Sequence, residues 1–209
     1  MLNYFCYTSY NIHSVKVMLK GNNKKRIEIE LRSIFDKAKY DQLTSLLKKN
    51  ARDLGSDDKD VFFFLLPKKV VKVVNNVSKK TAEIVIKLNR LGRGSSDFEE
   101  MEISIDPKDF DKAVRLFSDL NFSQIQIVYQ KRHNFEYKGV SLALKYTNSW
   151  GYHLELEVLV SRKSQQKLAQ EKIRKVAEEL DVKIISEQKL TEFAKKIDLN
   201  YKKGIYTNK

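Results

Sequence analysis

From Ile27 to Arg32 apolar and charged residues alternate one by one (IEIELR). A strand is therefore expected, with Ile27, Ile29 and Leu31 on one face and Glu28, Glu30 and Arg32 on the other. The period then lengthens: Phe35, Ala38, Leu43, Leu46 and Leu47 recur at helical spacing, predicting an amphipathic helix from about residue 34 to 49. Segments 61–66 and 70–74 read as strands around a Pro67-Lys68-Lys69 break. Segments 83–89 and 100–105 read as two more, joined by a Gly/Ser loop at 91–96. Asp106 and Pro107 suit the start of a second helix striped by Phe110, Val114, Phe117 and Leu120. Strands at 125–132, 140–146 and 152–160 follow. A charged helix at about 163–180, a short strand at 183–185 and a last helix carrying Leu190, Phe193, Ala194 and Ile197 complete the pattern.

About eight strands and four helices fit one α+β domain. We take residues 25–209 as that domain, with its C-terminal helices beginning near 163. Residues 1–24 read as an N-terminal appendage or as an early start preceding Met18. Seven Gly and two Pro in 209 residues agree with long elements and few breaks. The net charge of +13 points to an anionic partner, with phosphate-bearing ligands first. The lone Cys6 excludes an intramolecular disulfide framework and a CxxC pair, so a reducing, cytoplasmic setting is expected. No apolar run approaches the ~18 residues of a membrane span.

Charge on the strands changes the picture most. Glu28/Glu30, Glu100/Glu102 and Glu155/Glu157 are Glu-x-Glu pairs whose members share a strand face about 6.5 Å apart, within reach of one or two hydrated divalent cations. A solvated sheet face gives the same alternation. Arg32, Lys72, Lys87, Arg132 and Lys145 fall in the same alternating register. A sheet closed or nearly closed into a barrel, covered outside by amphipathic helices, turns all of these inward. Glu at one place and Lys or Arg elsewhere is what a triphosphate with magnesium or manganese demands. His153 shares a face with Glu155 and Glu157 and is a candidate ligand or shuttle, or a structural residue. His13 is a second candidate, and His133 has no evident partner. Trp150 and Tyr152, flanking Gly151, read as turn and core packing.

In their order these residues resemble the CYTH domains, also called triphosphate tunnel metalloenzymes, from about Lys25 to Val160. IEIELR resembles the opening Glu-x-Glu-x-Lys strand, with Arg32 in the Lys place. DVFFF with Asp60 and Phe62 resembles the Asp-x-aromatic strand, and AEIVIK the strand ending in Lys87. Glu100 and Glu102 match an Arg-x-Glu-x-Glu strand that has Phe98 where the Arg falls, and Gln130 with Arg132 matches a Lys-x-Arg strand. Gly151, Tyr152, Glu155 and Glu157 match the Gly-aromatic turn and final Glu-x-Glu. Lys72 and Val74 stand for an Arg-x-Arg pair, and Lys145 stands where the family has a metal-binding Asp.

The resemblance implies an eight-stranded antiparallel β-tunnel. Its metal ligands would be Glu28, Glu30, Glu155 and Glu157, and its phosphate contacts Arg32, Lys72, Lys87 and Arg132. Glu28, Glu30, Arg32 and Lys145 would serve catalysis, and Glu100, Glu102, Gln130 and His153 would also face the tunnel. Replacing an Asp by Lys145 shifts the local charge by two units, so one metal is weakened or replaced. Arg32, unable to lose its proton, is a binder and not a base. Two classes of function follow. One is a metal-dependent enzyme on a triphosphate-bearing small molecule, a hydrolase or a class IV-type adenylyl cyclase. The other is a binding module that keeps the tunnel and has lost turnover. Specific nucleic-acid binding is not expected, since no recognisable fold signature for it is present, and a homodimer is left open.

Overall fold

The computed structural model describes residues 27–67, 69–87, 97–98 and 100–206, with the backbone alone at 97, 98 and 100. The expected appendage at 1–24, His13, and the Gly/Ser loop at 91–96 lie outside the described residues. The strands are β1 (Ile27–Phe35), β2 (Arg52–Ser56), β3 (Lys59–Leu65), β4 (Val70–Asn76), β5 (Thr81–Lys87), β6 (Asp97–Phe98), β7 (Glu100–Ile105), β8 (Gln124–Tyr137), β9 (Val140–Thr147) and β10 (Gly151–Val160). The helices are α1 (Lys37–Asn50), α2 (Phe110–Ser118), α3 (Gln166–Glu179) and α4 (Glu187–Lys202).

All ten segments belong to one antiparallel sheet, in the order β6-β1-β10-β9-β8-β3-β4-β5-β7, with β2 also on β8. Eight strands in a closed or nearly closed barrel had been expected. Two of the extra segments are interruptions of longer tracks. β2 and β3 line the same edge of β8, Ser56 opposite His133 and Lys59 opposite Gln130, broken only at Asp57 and Asp58. β6 and β7 are likewise consecutive along the chain, yet β6 pairs with β1 and β7 with β5, at opposite ends of the sheet order. Among the described residues, hydrogen bonds do not close the sheet into a barrel. The chain nonetheless ties its two edges together, because Phe98 and Glu100 can be no more than about 7 Å apart. Lys87 Nζ on β5 accordingly lies 3.8 Å from Glu28 Oε2 on β1, so the sheet curls around an inner face.

Helices cover two areas of its outer face. Ile27, Ile29, Phe135, Leu142, Leu144, Leu154 and Leu156 pack under Leu43 and Leu47 of α1 and Ala169, Ile173, Val176 and Ala177 of α3. Phe64, Val71 and Val73 pack under Phe110, Val114 and Phe117 of α2. Asp36 caps α1 through a 2.9 Å bond from Lys39 N–H, and Asp106 accepts from Lys108 N–H beside Pro107 as expected.

α4 meets the sheet through a different set of contacts. Asp198 accepts from the amides of Gln124 and Gln126 at 2.9 and 2.8 Å, Tyr201 donates to Ile127 O, and the Phe193 ring meets Trp150 at 5.0 Å. Gln126 is opposite Phe63 in the ladder and so faces inward with it. α4 therefore lies across the inner side at one end of the curled sheet.

Some local expectations need correcting. Helix α1 begins at Lys37, and Phe35 ends β1 instead of opening the helical stripe. Leu120 falls past the end of α2 and is exposed. Residues 183–185 form no strand; a single bond from Ile185 N to Arg32 O stands in for one. β2, rich in Asp and Gly, was missed because its short run carries no alternation.

Candidate active site

Period-two alternation decides what the inner face carries. On β1 the odd positions enter the core under α1 and α3, which turns Glu28, Glu30 and Arg32 the other way. Across the ladder Arg32 is opposite Glu155 and Glu30 opposite Glu157. On the next strand His153 is opposite Lys145, which in turn is opposite Arg132 on β8. Three adjacent strand pairings thus gather Glu28, Glu30, Arg32, Arg132, Lys145, His153, Glu155 and Glu157 on one wall, with Lys87 reaching it from β5.

The wall is a chain of ion pairs. Arg32 Nε donates to Glu155 Oε1 at 3.2 Å while its terminal nitrogen meets Glu30. Lys145 Nζ donates to Glu155 Oε2 at 2.9 Å, although the residue is only 6% exposed. Burial alone would raise the Glu155 carboxyl, but Lys145, Arg32 and Arg132 around it hold it well below its ordinary range. Burial pushes the Lys145 ammonium down, and Arg132 adds to that against the pull of Glu155. The Arg32 guanidinium also loses water, yet Glu30 and Glu155 more than restore its charge. Its plane lies 5.6 Å from the Trp150 ring centre, a cation–π contact that binds the wall to α4 through Phe193.

At the other end of the wall the balance reverses. Burial and the neighbouring Glu30 carboxylate push Glu28 up to about 9, and the same two causes push Glu157 up to about 7. Glu30, 5% exposed, keeps Oε1 out of water, where that oxygen meets the Arg32 guanidinium. Three acidic groups therefore crowd together, Glu30 in contact with Arg32 and Glu28 with Lys87 3.8 Å away. Among the described residues no three Asp, Glu, His or Cys side chains already stand as a metal-holding group. Magnesium, however, is commonly held by one or two carboxylates together with substrate phosphates and water. A cluster of three oxygen-only side chains, of which Glu157 has no ion pair among the described residues, fits that demand.

The remaining expected residues are spread more widely. Lys72 lies on the inner face of β4, opposite Phe63 and Val85. Gln130 is half-buried opposite Lys59, away from the glutamates. Glu102 is exposed and does not join the buried cluster, and the Glu100 side chain lies outside the described residues. His153 is buried, its Nδ1 2.9 Å from Gly151 O, and burial and Lys145 lower it to about 4. It is thus a neutral ring packed beside Trp150. His133 does have a partner, Asp53 at 2.6 Å, with its ring stacked on Phe135.

Sequence reasoning missed Asp57. Buried between β2 and β3, it accepts from Asn76, Asn134 and Lys79 and also meets Lys59 and Arg132. Burial opposes its charge, but those donors outweigh it and lower the carboxyl far below normal. Arg132 is anchored there, with Nε 2.7 Å from Asn134 Oδ1. The run SDDKD carries no apolar alternation, and only the match of β2 and β3 to one edge of β8 shows why it is enclosed.

A family model for the CYTH domain matches residues 26–194. The chain belongs to the CYTH domain family. This CYTH domain resembles solved structures at low identity, which speaks to the fold alone. A conserved hypothetical protein from Pyrococcus furiosus is 24% identical with a TM-score of 0.61, covering 78% of this chain and 99% of its own. A putative adenylate cyclase from Vibrio parahaemolyticus is 11% identical with a TM-score of 0.57, covering 75% and 89%. A putative adenylyl cyclase from Hippeastrum, described as having a dominant triphosphatase activity, is 14% identical with a TM-score of 0.53, covering 80% and 95%. No curated protein matches the sequence. No helix among the described residues of this CYTH domain is long and apolar enough to cross a membrane.

Proposed function

We propose that this CYTH domain binds a triphosphate-bearing small molecule along its charged inner wall, together with magnesium or manganese, and hydrolyses it. The observation that carries the reading is the convergence on one wall of four glutamates, Glu28, Glu30, Glu155 and Glu157, with Arg32, Lys87, Arg132 and Lys145. Family membership and the triphosphatase activity named for the Hippeastrum protein support the same class of ligand.

Each side chain has a part. Arg32 uses two of its N–H groups on Glu155 and Glu30, so the rest of its five donors are available for phosphate oxygens. Arg132, braced by Asp57 and Asn134, and Lys87 add charge on either side, with Lys72 further along. Glu28, Glu30 and Glu157 would hold the divalent ion, which supplies positive charge at the phosphate oxygens. Catalysis on such a wall is positioning and charge stabilisation: cations hold the chain of phosphates while water attacks the terminal phosphorus and the bridging P–O bond breaks.

A second reading, a binding module with little turnover, is favoured by one specific contact. Lys145 engages Glu155, a carboxylate the resemblance assigns to metal. A phosphate-release assay with tripolyphosphate, thiamine triphosphate, ATP and RNA 5′ ends, run beside a cyclic-nucleotide assay and thermal shifts in magnesium and manganese, separates these. Phosphate release supports the hydrolase, and cyclic AMP from ATP the cyclase alternative. A thermal shift without turnover supports the binding module, and no shift with any ligand at low salt removes all three.

A further inference from the structure

The glutamates of the inner wall are not equivalent. Glu155 has Lys145 Nζ at 2.9 Å on one oxygen and Arg32 Nε at 3.2 Å on the other, so both oxygens already carry a cation. Glu157 has no ion pair among the described residues, Glu28 is paired only with Lys87 at 3.8 Å, and Glu30 meets a single cation, the Arg32 guanidinium, through one of its two oxygens. Lys145 is held in place from both sides: it is buried in the middle of β9, between His153 on β10 and Arg132 on β8. It cannot leave Glu155 without stranding a buried ammonium and a buried carboxylate. A divalent ion on Glu155 would sit against this ammonium and the Arg32 guanidinium, and like charges at that range repel strongly in a dry interior.

Resting on the function proposed above, we infer that Lys145 is a fixed cation of the site. The wall then takes its polyphosphate with a single divalent ion, on the Glu28, Glu30 and Glu157 side, and none on Glu155. The ammonium has three N–H donors and spends one on Glu155, so it offers the remaining donors to phosphate oxygens where a second ion would otherwise serve. Lys145 on this account contacts the phosphates itself and sets how many ions accompany the ligand.

Equilibrium gel filtration of the full chain, in buffer carrying Mn2+ and tripolyphosphate, tests this by counting manganese and phosphorus per chain. The wild type is expected to carry one manganese for three phosphorus, and Lys145→Asp two. Two ions on the wild type overturn the inference while leaving the triphosphate reading standing. A folded Lys145→Asp that still carries one ion overturns it equally. If Lys145→Asp does not fold, the wild-type count decides alone. A wild type that retains no phosphorus overturns this inference, and the triphosphate reading falls with it only if the other triphosphates also give no thermal shift.

Discussion

The two walls of the curled sheet have the same pleat and different contents. Along β1, β10 and β9 the inner face carries Glu28, Glu30, Arg32, Lys145, Glu155 and Glu157, and the outer face is a deep apolar layer under α1 and α3. Along β3, β4 and β5 the inner face sets Val61, Phe63, Val74 and Val85 among scattered charges at Lys72, Glu83 and Lys87, and the outer face is again apolar under α2. An apolar inner face needs no ligand, because its side chains satisfy one another by contact. A wall of buried ions is costly unless something offsets the desolvation. The charged wall thus lies where stability alone would not put it, and a ligand's binding energy belongs there.

Arg32→Ala should break this contrast most severely. It leaves Glu30 without its cation and Glu155 with fewer, so a loss of roughly 3–5 kcal/mol is expected in urea unfolding, together with loss of the tripolyphosphate thermal shift. An Arg32→Ala protein with near wild-type stability and an intact shift would contradict the idea that the wall is one connected network.

Acid should act next, through His153. Its folded value, about 4, lies below the ordinary 6.5, so between those values the unfolded chain takes up a proton that the folded one refuses. Stability contributed by the neutral ring is fully present above about pH 6.5 and is lost as pH falls toward 4, by up to about 3 kcal/mol. Glu28 and Glu157, raised in the fold, work in the opposite sense, so His153→Gln is the control. Chemical denaturation at pH 6.5 and pH 4.5 should show a larger acid loss for the wild type than for His153→Gln. Equal losses would mean that the ring is accessible to protons.

The smallest effect is expected on the other wall. Val74→Ala removes two buried carbons and should cost about 1.5 kcal/mol, with tripolyphosphate affinity unchanged within about twofold. A tenfold change by calorimetry would bring the apolar wall into the binding site and erase the distinction.

Much of the charged wall was legible in the sequence, because alternation on a strand fixes facing directly. IEIELR and LELE announce both the residues and the side they occupy, and the structure brings Glu28, Glu30, Arg32, Glu155 and Glu157 together. Which carboxylate Lys145 would pair with, Glu155 or Glu28, depended on register between β9 and β10, which alternation does not specify. Asp57 was invisible for a related reason: its enclosure comes from β8 running past a break between two short strands, a tertiary fact with no local signature. The docking of α4 on Trp150 and Gln126 escaped for the same cause, since an amphipathic helix shows which of its faces is apolar and not which surface will receive it.

The pairing of β1 with β10 has a kinetic consequence. Ile27 is opposite Val160, so the first described strand must wait for one that leaves the ribosome more than a hundred residues later. Closing so long a loop is entropically demanding, and non-local pairings of this kind slow folding. The hairpins β3-β4, β4-β5 and β9-β10 can form from neighbouring sequence, whereas β1 has nothing local to pair with. Refolding should therefore show the Glu28-to-Arg32 segment gaining amide protection last. Every ion pair between Arg32 and Glu155 is made across that final seam, so a chain caught short of completion is also a chain without a binding wall.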